Sequence, residues 1–490
     1  MRKTVLLCIV ILAVPIARQY CQIPDTDASV KIWEEAKTLP TYLVEPSSMS
    51  PRFYDGRAYQ GAQGRVYPYP INENLSRVKE DKSYKMVYLE NEYIKIDVLP
   101  EIGGRLWGAL DKTDQYDFIY RQHVVKPALI GMLGAWLEGG IEWNFPHHHR
   151  ANAFMPVDYE IINNTDGSAT LWIGEVELRD RMKFMLGISV YPGKSYFEVI
   201  FRPINGTPFA NSFLYFANTS VHTNVNYQVQ FPPSTIFGTY HAKNQFINWP
   251  ISHEVFNDID YTSGVDVSWW KNHEDWTSIF AYNYEDDFVG GYDHGKEAGT
   301  VIVSNHNIAP GKKFWTWSAG PRGQMWDKAL TDSDGPALEL MVGGYSDNQP
   351  DYSWLQPYES KYLKQYWYPV RGIKGIKNAN IEAAINLEFP ENGKAFVGIV
   401  STSSRKQARV VLEINNKAVL SETIDIDPAH PYIKDISIPK NTDENQVRVS
   451  LLSSDNTEVI SYQPVKKEEK PFPEVTKPPR PPQELSLIHI

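Results

Sequence analysis

Hydrophobic and polar residues alternate with a period of two along most of this chain from about Tyr84 onward. In segment 93–98, Ile94, Ile96 and Val98 share one face, and the residues between them share the other. Such alternation predicts half-buried strands, and it recurs at 169–173, 195–201 and 300–303. Turn sequences rich in Gly, Pro and Asn separate the runs. We predict a mainly β fold of antiparallel strands, with one short helix at 32–37.

The pattern changes near residue 371, where aromatic residues become fewer and more regular strands begin. Runs at 395–400, 409–414 and 447–452 alternate cleanly, which predicts a small β-sandwich over 371–463. Segment 464–490 begins as a Pro-rich linker and ends in six residues that resemble nothing before them, which we interpret as a truncation scar. The main domain is predicted at 84–370, with 22–83 as an N-terminal extension that packs on it.

The first residues have the pattern of a secretory signal peptide, with a basic start and a short apolar run, assigned to 1–21. The run is too short for a comfortable membrane span. We therefore expect an exported protein that is periplasmic, at the cell surface or secreted. Cys21 is the one cysteine outside the apolar run, so no internal disulfide can form. The residues before it are not small, which argues against a lipid anchor there.

Composition narrows the class of ligand. A net charge of -11 over 490 residues, with dispersed Lys and Arg, argues against nucleic acid as a partner. No phosphate-binding or dinucleotide fingerprint is present, and we predict no cofactor. Metal is the rival use of His147, His148 and His149, but consecutive strand residues point to opposite faces and cannot easily converge on one ion. We therefore predict no metal site.

The most informative segment for function is 139–150, which holds an acid, three imidazoles, two aromatic rings and a guanidinium. Hydrogen-bonding groups beside flat rings suit a sugar, because hydroxyls need polar partners and C–H faces pack on rings. A His-rich surface loop is the alternative. The candidate residues in this segment are Glu142, Trp143, His147, His148, His149 and Arg150.

Further clusters follow later in the chain. His222 lies near a strand end, and Asp293 and His294 flank a Gly turn. Trp315 and Trp317 alternate on one strand face, which predicts a stacking platform. The remaining candidates lie in 339–359. A loop Asp often caps a turn instead, and this alternative stays open for Asp293 and Asp351. The candidates are His222, Asp293, His294, Trp315, Trp317, Tyr345, Asp347, Tyr352, Trp354 and Glu359.

The motifs at 131–136, 139–147, 292–295, 311–317 and 345–352 together resemble a family of exported bacterial domains whose function is uncharacterised. The resemblance covers roughly Tyr84 to Pro369. It implies a galactose mutarotase-like β-supersandwich, and tetratricopeptide repeats after a β-sandwich in longer members. The superfamily implies a sugar-binding sheet shared by epimerases, glycoside hydrolases and polysaccharide lyases. Glu359 resembles the late basic Glu of epimerases, and His222 resembles their mid-chain acid His, although neither neighbourhood reproduces the epimerase signature.

We hypothesise a glycoside hydrolase that acts on a saccharide or glycan, with Glu142 and Glu359 as the acid and base pair and His148 and His222 beside them. The other candidates would contact substrate. The alternatives are a carbohydrate-binding module without turnover, a sugar epimerase, or a scaffold that recruits partner proteins through repeats after the chain.

Overall fold

The structure is a computed structural model that describes residues 29–47, 66–130, 133–147, 149–349, 351–468 and 470–474. The predicted signal peptide with Cys21, the candidate His148 and the end of the predicted linker lie outside these ranges. Among the described residues, no helix is long and apolar enough to span a membrane.

The described residues of the main domain form one α-helix, α1 (Pro321–Thr331), and short 3-10 turns at His241–Lys243 and Trp270–Asn272. Its strands are β1 (Lys31–Val44), β2 (Leu75–Glu90), β3 (Ile94–Leu99), β4 (Arg105–Asp111), β5 (Tyr116–Ile119), β6 (Ile141–Asn144), β7 (Asp158–Asn163), β8 (Ala169–Glu177), β9 (Met182–Val190), β10 (Phe197–Asn205), β11 (Asn211–Phe213), β12 (Tyr215–His222), β13 (Tyr227–Gln230), β14 (Phe237–Thr239), β15 (Phe246–Asn248), β16 (Ile251–Ser252), β17 (Val255–Phe256), β18 (Ile259–Asp260), β19 (Val265–Asp266), β20 (Thr277–Tyr282), β21 (Phe288–Asp293), β22 (Ala298–Val303), β23 (Gly311–Thr316), β24 (Ala337–Gly344), β25 (Ser353–Leu355) and β26 (Leu363–Arg371).

The C-terminal part contains a 3-10 turn at Glu444–Gln446 and eight further strands. They are β27 (Asn378–Ala379), β28 (Ala383–Glu388), β29 (Lys394–Ser401), β30 (Arg405–Ile414), β31 (Lys417–Ile426), β32 (Tyr432–Ser437), β33 (Val447–Leu452) and β34 (Glu458–Tyr462).

Two large antiparallel sheets form the main domain. The larger has twelve strands in the order β1-β2-β3-β4-β6-β12-β24-β23-β20-β14-β15, with β5 paired to β4. The second has eight, in the order β13-β21-β22-β26-β10-β9-β8-β7. Buried apolar side chains from both sheets form one continuous core. The sheets therefore pack face to face, as in a β-sandwich.

The C-terminal strands form two four-stranded sheets, β27-β28-β29-β32 and β31-β30-β33-β34, around a separate apolar core. A third buried cluster joins this sandwich to the second large sheet, with Tyr292 and Tyr368 on one side and Ile376 and Val400 on the other. The predicted mainly β fold, with a large sandwich followed by a smaller one, is confirmed.

The predicted helix at 32–37 is wrong. These residues belong to β1, which pairs with β2 in continuous register from Lys31 opposite Glu90 to Tyr42 opposite Lys79. The ladder of backbone hydrogen bonds to β2 overrides the weak local preference for a helix.

Alternation along the larger sheet separates two faces. In β24, Leu338, Leu340 and Val342 join the core between the sheets, so Glu339 and Met341 point the other way. We call this second side the distal face, meaning the face of the larger sheet that points away from the second sheet. Loops and α1 cover it, and the polar residues there are buried.

Candidate functional site

Two cross-strand rows of side chains form the floor of the distal face. Register places the residues of each row directly opposite one another on neighbouring strands. The first row runs Glu142, Asn218, Met341, Lys313 and Phe280 across β6, β12, β24, β23 and β20. The second row runs Ser220, Glu339, Trp315 and Ser278 across β12, β24, β23 and β20. Residues distant in sequence therefore meet on one surface.

Three buried carboxyl groups lie at one end of this floor. Glu138, Glu142 and Glu339 are each between 3% and 6% exposed. Trp317 Nε1 donates to Glu138 Oε2 over 2.9 Å, and Ser220 Oγ donates to Glu138 Oε1 over 3.1 Å. The buried Arg105 guanidinium lies near all three carboxyls and donates to the carbonyl of Gly139. This guanidinium is shared among three buried acids, so the state in which all three are ionised is disfavoured.

The surroundings of Glu142 and Glu339 shift the pKa values of these two acids in opposite directions. Burial raises the pKa of Glu142, but the charges of His149 and Arg105 and hydrogen bonds from His149 and Trp136 outweigh it and lower the pKa to about 2. Trp136 Nε1 lies 3.0 Å from Glu142 Oε2, and His149 Nδ1 lies 3.3 Å from Oε1. Burial and the neighbouring carboxyls raise the pKa of Glu339 well above its usual range. Glu142 is therefore ionised at neutral pH, whereas the surroundings of Glu339 favour its protonated form.

Two amide side chains beside the acids carry polar atoms that have no hydrogen-bond partner among the described residues. Asn218 is 1% exposed, and neither its Nδ2 nor its Oδ1 has a hydrogen-bond partner among the described residues. The fully buried Asn144 accepts a hydrogen bond from the backbone N–H of His149, yet its Nδ2 is unpartnered in the same ranges. Buried polar groups are normally satisfied, so these amides mark a place where a polar ligand can bind.

A basic group lies at the other end of the first row. Lys313 is 1% exposed, and its Nζ donates to Gln349 Oε1 over 2.7 Å and lies 3.4 Å from His241 Nε2. His241 Nδ1 is hydrogen-bonded to Ser278 Oγ over 2.9 Å. Burial lowers the pKa of Lys313 to about 7, against the opposing influence of Glu339. The floor is thus acidic at one end and weakly basic at the other.

The predicted 139–150 motif divides between the site and the core. Glu142 and His149 reach the distal face, and His147 lies near it, with its ring edge-on to Tyr352 at 5.4 Å. Trp143 follows Glu142 on β6, so its ring points into the core and its Nε1 donates to the carbonyl of Gly104. Trp143 therefore does not line the distal face, because adjacent strand residues face opposite sides.

Arg150 is also held by the protein itself. Its guanidinium donates to Glu175 Oε1 over 2.6 Å and to the carbonyl of Gly103 over 2.7 Å, and it packs over the Phe184 ring. The residue is 3% exposed. This placement does not fit the predicted sugar contact, because the donors shown are spent on internal partners.

The two predicted indoles do not form a flat platform. The rings of Trp315 and Trp317 lie 4.4 Å apart at 89° to each other. The strand ends at Thr316, and Trp317 beyond it stacks on Trp326 of α1 at 4.7 Å. Trp315 belongs to the second row of the floor, and Trp317 donates its N–H to Glu138.

The Asp293–His294 turn lies in the second sheet. Asp293 accepts hydrogen bonds from Asn224 and from the backbone N–H groups of Gly295 and Lys296, so it caps the β21–β22 turn. His294 is hydrogen-bonded to Gln228 and stacks on Trp269. Neither residue reaches the distal face, and the alternative of a turn-capping Asp293 is the one observed.

The candidates at 345–359 are also mostly structural. Tyr345 donates to the carbonyl of Tyr362, and Asp347 pairs with Lys243 over 2.8 Å. Trp354 is 57% exposed on β25. Glu359 accepts from the backbone N–H of Gln356 and pairs with Lys361, beside the end of β10 in the second sheet. The fold therefore does not bring Glu359 to Glu142. Tyr352 alone packs at the distal face, beside Met341 and Phe280.

His222 ends β12 at a separate location. It lies four positions along the strand from Asn218, which corresponds to about 13 Å. Its ring stacks on Tyr120 at 3.9 Å, and burial lowers its pKa to about 4. With Asp114, Asp117 and Lys296 it lines a polar cavity of about 420 Å³. Within the described ranges, no His, Cys, Asp and Glu side chains are grouped as ligands of one metal ion would be.

Comparison with known proteins identifies the family. Residues 62–370 match the model described as "Domain of unknown function (DUF5107)", which covers more than half of the chain. The chain belongs to this family. Residues 378–462 match a second model, described as "YphG-like protein, second domain". The distal face lies entirely within the DUF5107 domain.

Solved structures show likeness in fold. A TPR-domain containing protein from Parabacteroides distasonis is 22% identical with a TM-score of 0.59, and the match covers 70% of this chain and 55% of that one. The chain thus spans just over half of that protein. Galactose mutarotase-like proteins from Lactobacillus casei and Clostridium acetobutylicum are 10% and 12% identical, with TM-scores of 0.40 and 0.38. The matches cover 58% and 59% of this chain and 100% and 96% of those proteins.

Several site residues of the DUF5107 domain escaped the sequence prediction. They are Arg105, Glu138, Asn218, His241, Lys313 and Glu339. Two carried a usable signal. Glu339 is a single acid inside the apolar run of β24. Lys313 and Trp315 are two residues apart on β23, so they lie on the same face of that strand. The others become neighbours only through sheet pairing and loop packing.

Proposed function

We propose that this protein binds a saccharide on the distal face and cleaves a glycosidic bond there, with Glu339 as proton donor and Glu142 as the ionised carboxylate. The supporting observation is a pair of carboxyls on one face whose pKa values are pushed in opposite directions beside an unpartnered amide. Pairs of this kind identify the acid and the base of an active site.

The spacing suits this chemistry. Glu142 and Glu339 lie two strands and two residues apart, so their Cα atoms are separated by about 12 Å. Glu side chains that lean toward each other across this gap can reach the carboxyl separations of glycosidases, about 5 to 9.5 Å. The Glu339 hydroxyl would protonate the leaving oxygen. The Glu142 carboxylate would act at the anomeric carbon from the opposite side, directly or through a water molecule.

Binding without turnover is the second candidate function. The observation in its favour is the burial of all three carboxyls, together with the two hydrogen bonds that Glu142 already makes to Trp136 and His149. Groups held this firmly can serve as fixed hydrogen-bond acceptors for hydroxyls. The epimerase alternative has no separate observation in its favour. Export of the chain also remains part of our proposal, and the N-terminus of the mature protein would test it.

Three Glu to Gln variants separate these functions. We expect Glu142→Gln and Glu339→Gln to lower release of reducing sugar from a panel of soluble polysaccharides by about 100- to 10,000-fold, with glycan-array binding retained. Glu359→Gln, in a turn of the second sheet, should keep full activity. Full turnover in both distal-face variants would refute catalysis by this pair. Glycan binding by the unaltered protein with no turnover would favour the second candidate, and no binding would refute both.

A further inference from the structure

Lys313 is a buried amine with an unusual set of neighbours. Its Nζ is held by the Gln349 side-chain oxygen at 2.7 Å and lies 4.7 Å over the Phe280 ring. His241 stands 3.4 Å away. No carboxylate lies within ion-pair distance of Nζ among the residues that the structure describes. A fully buried lysine is rare unless a counter-charge accompanies it, so a ligand carboxylate that reaches this face would supply the counter-charge that the described side chains do not.

The charged groups around Lys313 leave it available to such an anion. Burial lowers its pKa to about 7, and Glu339 on β24 is the acidic group whose charge opposes that shift. Burial also lowers the pKa of His241, well below its usual range, so this imidazole is neutral and does not compete as a cation. Burial and the neighbouring carboxyls raise the pKa of Glu339, which disfavours a negative charge beside Lys313.

The position of Lys313 fixes its relation to the acids. It lies three strands from Glu142 along the first row, which corresponds to about 14 Å. Asn218 and its unpartnered amide lie between them. A ligand that contacts both Glu142 and Lys313 is therefore longer than one sugar ring.

We propose that Lys313 binds a carboxylate of the saccharide, so that the ligand of the distal face is an oligosaccharide containing a uronic acid. This rests on the proposed function, because it assigns a substrate class to the same site. A bound carboxylate stabilises the ammonium form, so binding above pH 7 is accompanied by uptake of one proton. Below pH 7 the Lys313 amine is already charged, so its titration should not change the affinity for the acidic saccharide.

Lys312 provides a matched control on the same strand. It is also fully buried, and burial likewise lowers its pKa to about 7. Its Nζ points to the opposite side of β23, 3.4 Å from the Tyr284 hydroxyl and 4.5 Å over that ring. Lys312→Met therefore removes an equivalent buried amine without touching the distal face, and thermal unfolding of both variants checks that each is folded.

The ligands are trisaccharides of galacturonic, glucuronic and mannuronic acid, each compared with its carboxyl-reduced form. Their affinities are measured by isothermal titration calorimetry. At pH 6 we expect one acidic member to bind at least about tenfold more tightly than its reduced partner, and this preference to fall by up to about tenfold per pH unit above 7. Lys313→Met should abolish the preference while leaving the reduced form bound as before. Lys312→Met should keep the preference, and the pH dependence should persist in Glu339→Gln.

Several results would overturn the proposal. Equal binding of acidic and reduced members would refute the uronate assignment and leave the proposed saccharide function standing. A preference that survives in Lys313→Met, is lost equally in Lys312→Met, or loses its pH dependence in Glu339→Gln would assign the effect to another group. Failure of every acidic trisaccharide to bind would also refute the uronate proposal. The proposed saccharide function is tested separately, by binding to the glycan array.

Discussion

Replacing Asn218 with leucine should stabilise the protein and weaken saccharide binding at the same time. The amide is 1% exposed and neither of its polar atoms has a partner among the described residues. A buried unsatisfied polar group costs about 1–3 kcal/mol, and leucine is similar in size without that cost. We therefore expect Asn218→Leu to raise the free energy of unfolding by about 1–3 kcal/mol, and the Tm by about 2–5 °C.

The same change removes a donor and an acceptor from the floor of the site. A hydroxyl that bonded to Asn218 would lose its partner, so we expect saccharide affinity to fall at least about tenfold, equivalent to about 1.4 kcal/mol. Urea unfolding followed by tryptophan fluorescence gives the stability, and glycan-array titration gives the affinity. A gain in stability with a loss of binding is the pattern expected of a ligand-binding residue.

Asn205 supplies the control because it is equally buried but fully hydrogen-bonded. Its Nδ2 donates to the carbonyls of Phe209, Leu355 and Gln356, and its Oδ1 accepts from Thr207. Asn205→Leu should lower the free energy of unfolding by about 3 kcal/mol, since it removes several hydrogen bonds of a buried amide at once. If Asn218→Leu destabilises the protein as much as Asn205→Leu does, the interpretation of Asn218 as a ligand-binding group is refuted.

Three further predictions concern the parts that hold the acids. Gly140→Ala should destabilise the protein by more than about 2 kcal/mol, because φ is +65° and a Cβ would lie 2.0 Å from the Leu106 carbonyl; an unchanged urea midpoint would contradict this. The depressed pKa of Glu142 should stabilise the fold by up to about 3 kcal/mol above pH 4.5, and this is lost as pH falls towards 2. The difference in unfolding free energy between the unaltered protein and Glu142→Gln should therefore shrink between pH 5 and pH 2, and a constant difference would refute the assignment. Trp317→Phe should keep the stacking on Trp326 but remove the hydrogen bond to Glu138, at a cost of about 1–2 kcal/mol in urea unfolding; no loss would show that this bond is unimportant.

Period-two alternation was sufficient to predict the mainly β fold. One face of each strand packs in the apolar core between the two sheets, and the other face points away from that core. The alternation also contained information about the site that a list of residue types ignores. Glu142 and Trp143 are neighbours on β6, so only one of them can face the ligand. The acid does, and the ring fills the core.

The remaining errors have a common physical origin. Asp293 and Glu359 accept hydrogen bonds from nearby backbone N–H groups, and such turn-closing acids have the same local composition as ligand-binding ones. Asn218, Glu339 and Lys313 come together through the register of β12, β24 and β23, over more than a hundred residues of sequence. Pairing of this range cannot be deduced from local patterns.

A crystal structure of the protein soaked with the tightest-binding oligosaccharide from the glycan array tests the central claim most directly. Our account predicts that the sugar lies on the distal face, with hydroxyls within hydrogen-bond distance of both amide atoms of Asn218 and a glycosidic oxygen between Glu142 and Glu339. A sugar bound instead over the exposed Trp354, or in the cavity beside His222, with the distal face unchanged, would contradict it.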